Sequence, residues 1–278
     1  MDNCYATGPV TGTSYVGGLA GNSTNFSTLK NSYSTGSVSG NDYTGGVAGN
    51  SEGTVQNCYA TGSVHGANQV GGVVGNNIGI VQNCYATSHV EGSANIGGIA
   101  GNSLGTIQNC YATGSVTSIG NRIGGIVGNI TGGTVQNCYA TGPVSGTGND
   151  FGGIVGYIQS GSVQNCVALN TSITGGSNLN RVAGTNSGTL NNNYAREDMM
   201  ISGLPVTNLS SSSLNGADLI IGFSDPTNEN ATVFAVSDGW SDTVWTIPGG
   251  HLTIMLTETA LPTLKHMPGI AQNPQLLL

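Results

Sequence analysis

Charged side chains are scarce in this chain. Aspartate, glutamate, lysine and arginine make up only 6% of its 278 residues, and the formal net charge is −8. A polyanion such as nucleic acid, or an anionic membrane surface, would gain little electrostatic attraction from such a protein. We therefore expect no nucleic-acid partner.

Long apolar runs are also missing. No stretch approaches the ~20 apolar residues that a membrane-spanning helix needs. Met1 is followed by repeat sequence rather than by a basic and then apolar leader. We expect no membrane insertion by these residues and no signal peptide among them.

A sequence repeat makes up most of the chain instead. The block Asn-Cys-Tyr-Ala-Thr-Gly, followed by valine and then by Gly-Gly-x-x-Gly-Asn, returns every 26 to 28 residues from Asn3 onward. Ser32 replaces the cysteine in the second copy, and Asn193 replaces it in a degenerate eighth copy. A period of this length indicates supersecondary units that bury their apolar faces only by stacking on each other.

The pattern within one repeat has a period of two. Cys58, Ala60 and Val64 share one parity, whereas Tyr59 and the hydroxyl residues beside it share the other. Alternation of this kind predicts a strand with small apolar residues facing inward and tyrosine facing water. We expect about three short strands in each coil.

Two series of residues are expected to stack as internal ladders. Asparagine tolerates unusual backbone angles, and stacked amides can hydrogen-bond from coil to coil at a bend. Cysteines in adjacent coils would lie ~4.8 Å apart, whereas a disulfide requires Cβ atoms ~3.8 Å apart, so we expect buried free thiols. The predicted ladder residues are Asn31, Asn57, Asn83, Asn109, Asn137 and Asn165, with Cys58, Cys84, Cys110, Cys138 and Cys166.

The tyrosines of the repeat form the candidate binding surface. Regularly spaced rings with polar tips could bind glycans or a protein. Stacked like residues could equally stabilise the sheet and nothing more. The candidate binding residues are Tyr33, Tyr59, Tyr85, Tyr111 and Tyr139.

Catalytic and metal-binding patterns are weak. Paired carboxylates at matching positions would suggest a glycoside-cleaving groove, but the repeat carboxylates occupy different parts of their coils. Each of the four histidines lacks a His-Glu-x-x-His context. Asp225, Asp238 and Asp242 could bind calcium, although the EF-hand and nonapeptide spacings are missing. We expect no catalytic residue, no metal and no cofactor.

The composition changes after the repeats. Residues 1–196 hold the repeats, residues 197–216 read as a connector, and residues 217–278 hold both tryptophans. A stacked β architecture needs an end unit that covers its last open edge. We expect residues 217–278 to form a small β cap with Trp240 and Trp245 as its anchors.

The repeat resembles a known family. The Gly-Gly-x-x-Gly-Asn and Asn-Cys-Tyr-Ala-Thr-Gly blocks are similar to the GLUG-motif repeats of large bacterial surface proteins, including adhesin-like proteins and the non-catalytic parts of some IgA-specific metallopeptidases. The segment from Gly239 to Pro248 is similar to tails that often close such proteins. The resemblance implies a bacterial, extracellular or cell-surface β-solenoid, and it does not imply peptidase activity.

The sequence therefore predicts an all-β chain. We expect a parallel β-solenoid, right-handed by precedent, of about seven coils with a C-terminal cap. The expected function is a structural or adhesive module, not an enzyme, that attaches to a glycan or to a host or cell-surface protein. The alternative is a polysaccharide-acting β-helix or an accessory region of a larger secreted hydrolase or peptidase.

Overall fold

The computed structural model describes residues 1–206, 209–219, 240, 245–246 and 263–264. In this part of the chain every regular element is a strand. The strands wind into a parallel β-solenoid of about eight coils, as the repeat predicted.

Each complete coil contains five short strands. Coil 1 contains β1 (Tyr5–Ala6), β2 (Val10–Thr11), β3 (Ser14–Gly17), β4 (Ala20–Ser23) and β5 (Thr28–Lys30). Coil 2 contains β6 (Tyr33–Ser34), β7 (Val38–Ser39), β8 (Asp42–Gly45), β9 (Ala48–Ser51) and β10 (Thr54–Gln56). Coil 3 contains β11 (Tyr59–Ala60), β12 (Val64–His65), β13 (Asn68–Gly71), β14 (Val74–Asn77) and β15 (Ile80–Gln82). Coil 4 contains β16 (Tyr85–Ala86), β17 (Val90–Gly92), β18 (Ala94–Gly97), β19 (Ala100–Ser103) and β20 (Thr106–Gln108).

The later coils follow the same order. Coil 5 contains β21 (Tyr111–Ala112), β22 (Val116–Ser118), β23 (Ile123–Gly124), β24 (Val127–Ile130) and β25 (Thr134–Gln136). Coil 6 contains β26 (Tyr139–Ala140), β27 (Val144–Gly146), β28 (Asn149–Gly152), β29 (Val155–Ile158) and β30 (Ser162–Gln164). Coil 7 contains β31 (Val167–Ala168), β32 (Ser172–Thr174), β33 (Ser177–Asn180), β34 (Ala183–Asn186) and β35 (Thr189–Asn191). The last strands are β36 (Tyr194–Arg196), β37 (Met200–Ile201), β38 (Ala217–Leu219), β39 (Trp245–Thr246) and β40 (Thr263–Leu264).

Equivalent strands stack into five parallel sheets, which we call sheets I to V in the order that a coil visits them. Sheet I runs from β1 to β38, sheet II from β2 to β37, and sheets III, IV and V hold seven strands each. The register is strict, so that Tyr59 pairs with Tyr85 and Val64 with Val90. The expectation of three strands per coil was wrong, because bends at the asparagine and at the glycine pair divide the chain into more and shorter pieces.

The glycine pair marks the bend between sheets III and IV. A Cβ atom on Gly71 would overlap the carbonyl oxygen of Val74, and one on Gly72 would overlap that of Gly98. The first clash lies within the coil and the second lies against the next coil. Glycine is therefore required on both sides of this bend, as the sequence pattern suggested.

The core is a continuous column of small and branched apolar side chains. Cys110, Ala112, Val116, Ile123 and Ile126 show how one coil contributes, since all five are buried. Each is stacked on the equivalent residue of the neighbouring coils. Burial of this column against the next coil is the main source of stability in such a fold.

The stack continues beyond residue 196, where the sequence suggested a connector. Strand β37 pairs with β32, and β38 pairs with β36. The buried Arg181 donates to the Asp218 carboxylate at 2.7 Å and to backbone carbonyls of Asn215 and Gly216. The connector is thereby hydrogen-bonded to the last coils. Most of the expected cap, residues 220–239 and the greater part of 241–278, lies outside the described residues, and so do Asp225, Asp238 and Asp242.

Candidate functional site

The cysteines form a buried column beside sheet I. Cys58, Cys84, Cys110, Cys138 and Cys166 are buried free thiols, whereas Cys4 in the first coil is half-buried. The Sγ atoms of Cys58, Cys84 and Cys110 donate to the carbonyl oxygen two residues earlier at 3.1–3.2 Å. Burial raises the pKa of the Cys84 and Cys138 thiols. These two thiols are therefore protonated and poorly nucleophilic.

Ser32 and Asn193, which replace cysteine in this column, accept the same backbone hydrogen bond as the cysteine sulfur. The backbone N–H of Cys58 donates to the Sγ atom of Cys84 at 3.4 Å. Where the repeat lacks cysteine, the Ser32 Oγ atom accepts from the N–H of Cys4, and the Asn193 Oδ1 atom accepts from that of Cys166, both at 3.0 Å. The position therefore requires a small hydrogen-bond acceptor, which is why serine and asparagine can replace cysteine there.

The asparagines before the cysteines form a ladder at the bend between sheets V and I, which we call the corner ladder. Asn57, Asn83 and Asn109 have φ angles of 51°, 52° and 53°, in the left-handed region that asparagine tolerates best among non-glycine residues. Asn57 donates to Asn31, Asn83 to Asn57 and Asn109 to Asn83 through their side-chain amides at 3.0–3.2 Å. The amide bonds therefore link adjacent coils at this bend.

The corner ladder ends on different groups. At its start, the Asn31 amide donates to the Asp2 carboxylate at 3.0 Å. Near its end, Asn192 donates to Asn165 at 2.9 Å, and the Tyr194 hydroxyl donates to the Asn192 Oδ1 atom at 3.1 Å. The terminal amides thus bond to a carboxylate and to a phenol.

Two further amide ladders were not predicted. In sheet IV the Asn50 amide donates to Asn22, Asn76 to Asn50, and Asn102 to Asn76, at 2.8–2.9 Å. In sheet V the Gln108 amide donates to Gln82, Gln136 to Gln108, and Gln164 to Gln136, at 2.7–2.9 Å. The recurring asparagine of Gly-Gly-x-x-Gly-Asn and the glutamine before the corner asparagine were the available signals.

The tyrosines stack as expected, but they do not face water. Rings from Tyr33 to Tyr139 lie 4.8–5.0 Å apart, with 2–7° between neighbouring planes. Tyr59, Tyr85, Tyr111 and Tyr139 are nevertheless buried, with exposures of 0–2%. Tyr33 is half-buried and Tyr5 is 66% exposed. The expected exposure of Tyr59, Tyr85, Tyr111 and Tyr139 was therefore wrong, and attachment through Tyr33 stays a prediction.

A second apolar cluster explains this burial. The tyrosines pack with Val167 and Leu169 of coil 7 and with Leu219, Trp240 and Leu264 from the C-terminal region. The ring centroid of Trp240 lies 6.4 Å from that of Tyr139. The C-terminal residues therefore cover the outer face of sheet I. Trp240 is buried in this cluster, whereas the side chain of Trp245 lies outside the described residues.

Burial also changes the acidity of the tyrosines. Desolvation, together with the nearby Tyr33, raises the pKa of Tyr59 to about 12. The same two causes, with the preceding ring as the neighbour, raise the pKa of Tyr85, Tyr111 and Tyr139. These phenols stay neutral across the physiological range.

The carboxylates of the coils are mostly engaged in structural contacts. Asp42 accepts from the Asn68 amide at 2.9 Å, and Asp150 accepts from the Asn178 amide at 2.8 Å and the Thr185 hydroxyl at 2.6 Å. Asp2 lies 3.2 Å from the Lys30 ammonium. Hydrogen bonds from Asn31 and Lys30 lower the pKa of Asp2. These contacts favour a structural over a catalytic role for these carboxylates.

One carboxylate has ionisable neighbours of a different kind. Glu91 Oε2 lies 3.6 Å from His65 Nδ1 and 3.9 Å from His89 Nε2. His89 Nδ1 is in turn 2.7 Å from the Ser115 hydroxyl. His65 of β12 and Glu91 of β17 lie at exposed positions of sheet II. The sequence offered no signal for it, because glutamate and histidine at these positions occur in single repeats only.

Two further observations limit the chemistry of the described residues. Among them, no group of three or more histidine, cysteine, aspartate or glutamate side chains has a geometry suited to a metal ion. None of their elements is a helix with the length and hydropathy that crossing a bilayer requires.

Comparisons with known proteins agree with the repeat architecture. The family model described as the GLUG motif matches residues 12–39, 66–91, 92–117 and 119–145. A crystal structure from Bacteroides ovatus, described as a "putative immunoglobulin A1 protease", matches with a TM-score of 0.61 and 23% identity. The match covers 84% of this chain and 77% of that one. At this identity the likeness shows the fold alone.

Comparison with curated proteins gives no match. The four matched segments each span one coil, and their boundaries follow the 26 to 28 residue period of the sequence. The chain is a parallel β-solenoid in which four coil-length segments match the GLUG-motif model, as its sequence pattern predicted.

Proposed function

We propose that this chain is a non-catalytic attachment module of a bacterial cell-surface or secreted protein. In this role the solenoid is a rigid rod whose side walls present a repeated surface to a glycan or to a host or cell-surface protein. The observation that carries the proposal is the strict strand register, which runs through all five sheets and repeats from coil to coil.

Rigidity follows from that register. Each coil is hydrogen-bonded to its neighbours through five strands, and the three amide ladders add side-chain bonds in the same direction. At ~4.8 Å per coil, seven steps give a rod of roughly 34 Å. A spacer of this kind holds a binding surface at a defined distance and angle.

The surface chemistry supports a neutral partner. Residues 31–121 contain no lysine or arginine, and their exposed polar groups are mostly amides and hydroxyls. Such groups exchange hydrogen bonds with sugar hydroxyls or peptide groups without a large desolvation cost for charge. An anionic polysaccharide would find few cations on these coils.

An extracellular location is part of the same proposal. GLUG-motif repeats and the fold match to a protein named as an immunoglobulin A1 protease both support a secreted or surface protein. The five buried free thiols are compatible with that location, because their burial protects them from oxidation.

A glycan array and an immobilised panel of secreted host proteins test the attachment function. We expect the folded chain to bind a limited set of neutral glycans or proteins, and the urea-unfolded chain to lose that binding. Retention of no glycan and no protein from either panel would contradict the proposal. Electrophoresis or chromatography over time should show no cleavage of the retained polysaccharide or protein. Cleavage of either would indicate an enzymatic function in place of the proposed attachment function.

The second candidate is an accessory region of a larger secreted hydrolase or peptidase. The fold match supports this possibility, since the matched protein is named as an immunoglobulin A1 protease. In that role the solenoid would position a separate catalytic unit. Immobilised immunoglobulin A1 tests it directly: we expect this chain to bind without cleaving if it has that role, and equal binding to immunoglobulin G would argue against it.

A further inference from the structure

A shallow depression lies on the turn between sheets II and III. It spans coils 2 to 5 and has a volume of about 210 Å³. Its walls include Asn41, His65, Glu91, Ser93 and Ile119, and glycines line its floor. Pockets for drug-sized ligands have volumes of ~300–1,000 Å³, so this one suits a single ring-sized group.

The depression ends at a change in turn length. Gly92 pairs with Ser118 and Ile96 pairs with Ile123, so that coil 5 has one residue more than coil 4 between the same two positions. The extra residue lengthens the turn between β22 and β23 in coil 5. Ile119 lies in this longer turn with 75% of its surface exposed. Its side chain therefore gives the coil 5 end of the depression an apolar wall.

The polar groups that line the depression beside Ile119 can all form hydrogen bonds with a ligand. Glu91 and His65 lie 3.6 Å apart, and both side chains are more than half exposed. Asn41 and Ser93 contribute an amide and a hydroxyl to the same wall. The carboxylate offers two acceptor oxygens, and the amide, hydroxyl and imidazole offer both donors and acceptors.

These features decide among classes of ligand. An anionic group would meet Glu91, and no lysine or arginine lines the depression. A wholly apolar group would desolvate the carboxylate without giving it a hydrogen bond in return. A neutral sugar ring satisfies both constraints, since adjacent hydroxyls can donate to the carboxylate while the C–H face packs on a branched side chain.

We propose that this depression binds one ring of a neutral glycan. Glu91 accepts hydrogen bonds from two adjacent hydroxyls, His65 and Asn41 bond to further hydroxyls, and the ring face rests against Ile119. This assignment rests on the proposed attachment function and gives it a substrate class and a position on the rod.

Saturation-transfer NMR with small sugars tests the site on the full chain. The probes are methyl α-mannoside, N-acetylglucosamine and sodium glucuronate. We expect transfer to at least one neutral sugar, with weak binding on the order of 1 mM, and much less transfer to glucuronate. Transfer to none of the three, or preferred transfer to glucuronate, would overturn the proposal.

Matched variants test whether the sugar binds at the depression. Glu91→Ala and Ile119→Ser should each weaken binding of the neutral sugar about tenfold. The controls Glu52→Ala and Ile78→Ser change the same residue types in turns outside the depression, and Ile78 is itself 44% exposed. The controls should bind as the parent does. Equal binding by all four variants would overturn the assignment.

The glycan array separates this inference from the attachment function. If Glu91→Ala and Ile119→Ser retain every glycan that the parent retains, this site is wrong and attachment through another surface stands. If the parent itself retains nothing on the array or the protein panel, the attachment function fails. Circular dichroism of each variant ensures that binding is compared at equal folded content.

Discussion

The two faces of sheet I are both buried, but by different parts of the chain. In the strand Tyr59–Ala60, alanine points into the solenoid core and tyrosine points outward into the second cluster. The core face is covered by the other four sheets of the same coils. The tyrosine face is covered by Leu219, Trp240 and Leu264, which come from outside the repeats.

This difference separates two sources of stability. The inner face is buried by residues of the same coil and its neighbours, so every coil encloses its own section of the core. The outer face depends on residues that lie 100 or more positions away from most of the tyrosines they cover, as Trp240 does with Tyr139. The repeat can therefore keep its coiled structure when the cover is lost, whereas the cover has no structure to pack on without the repeat.

Substitutions that remove a large buried side chain from either face should cause the largest losses of stability and should distinguish the two faces. Trp240→Ala should remove about 3–5 kcal/mol of packing, and Ile126→Ala in the inner core should remove about 2–5 kcal/mol. We expect the first to release the C-terminal cover while circular dichroism of the coils persists, and the second to lower the urea midpoint of the coils themselves.

Limited proteolysis checks that distinction. Trp240→Ala should expose cleavage sites after residue 219 and leave a resistant core fragment, which mass spectrometry can identify. Tyr5→Ala serves as the control, because Tyr5 is exposed and its loss should change stability by under about 0.5 kcal/mol. If Trp240→Ala and Ile126→Ala lowered the same single transition equally, the two faces would form one cooperative unit.

The corner ladder gives the next largest effect. Asn109→Ala removes an amide that links adjacent coils, at about 1–3 kcal/mol, and places alanine in the left-handed region, at about 1–2 kcal/mol more. Asn109→Gly removes the same amide but tolerates the backbone angle. We therefore expect glycine to cost less than alanine in urea denaturation.

Asn41 is the matched control for this pair. It is exposed, and Asn41→Ala should change the free energy of unfolding by under about 0.5 kcal/mol. Equal losses for Asn109→Ala and Asn109→Gly would assign the whole effect to the amide. No loss for Asn109→Gly would instead assign it to the backbone.

Alkaline pH should weaken the tyrosine face selectively. Burial raises the pKa of Tyr59 to about 12, above the ordinary value of ~10. The neutral phenol therefore contributes stability that is fully present below about pH 10 and is lost as the pH rises through the folded value. The urea midpoint at about pH 11 should be lower than at about pH 8. Tyr59→Phe should reduce this dependence, and Tyr5→Phe should leave it unchanged.

Thiol labelling probes the inner face without changing stability. The five buried cysteines should resist iodoacetamide in the native state, while the half-buried Cys4 reacts. Without reductant, mass spectrometry should find one modification in the native protein and six after unfolding. Two or more unmodified cysteines after unfolding would indicate disulfides and contradict the stacked-thiol column.

The sequence predicted the fold well because residues at equivalent positions of the repeat pair with each other in neighbouring coils. Asn57, Cys58 and Ala60 recur at fixed spacing, and the side chains that recur together stack together. It predicted strand number poorly, because strands of two residues, such as Tyr59–Ala60, are too short for a pattern of period two to be recognised. Left-handed residues at this position of sheet III were also missed, since Tyr43 and Gln69 in its strands and Arg122 just before β23 share this backbone angle but no chemistry.

The candidate sites were less predictable for related reasons. The burial of Tyr111 depends on Trp240 and Leu264, which no repeat pattern relates to it. The depression beside Glu91 depends on a single extra residue near Ile119. Periodicity describes what all coils share, whereas binding surfaces arise where one coil differs from its neighbours.

The amide ladders give the rod an electrical direction. A carboxylate can only accept, so Asp2 and Asp42 require Asn31 and Asn68 to point their NH₂ groups toward the N-terminal coil. The amide bonds of the ladders in sheets IV and V have the same sense, each amide donating to the coil before it. Their dipoles therefore add along the axis. A ladder can continue from one rod into another only in the head-to-tail sense, because each amide donor must meet an acceptor on the coil before it.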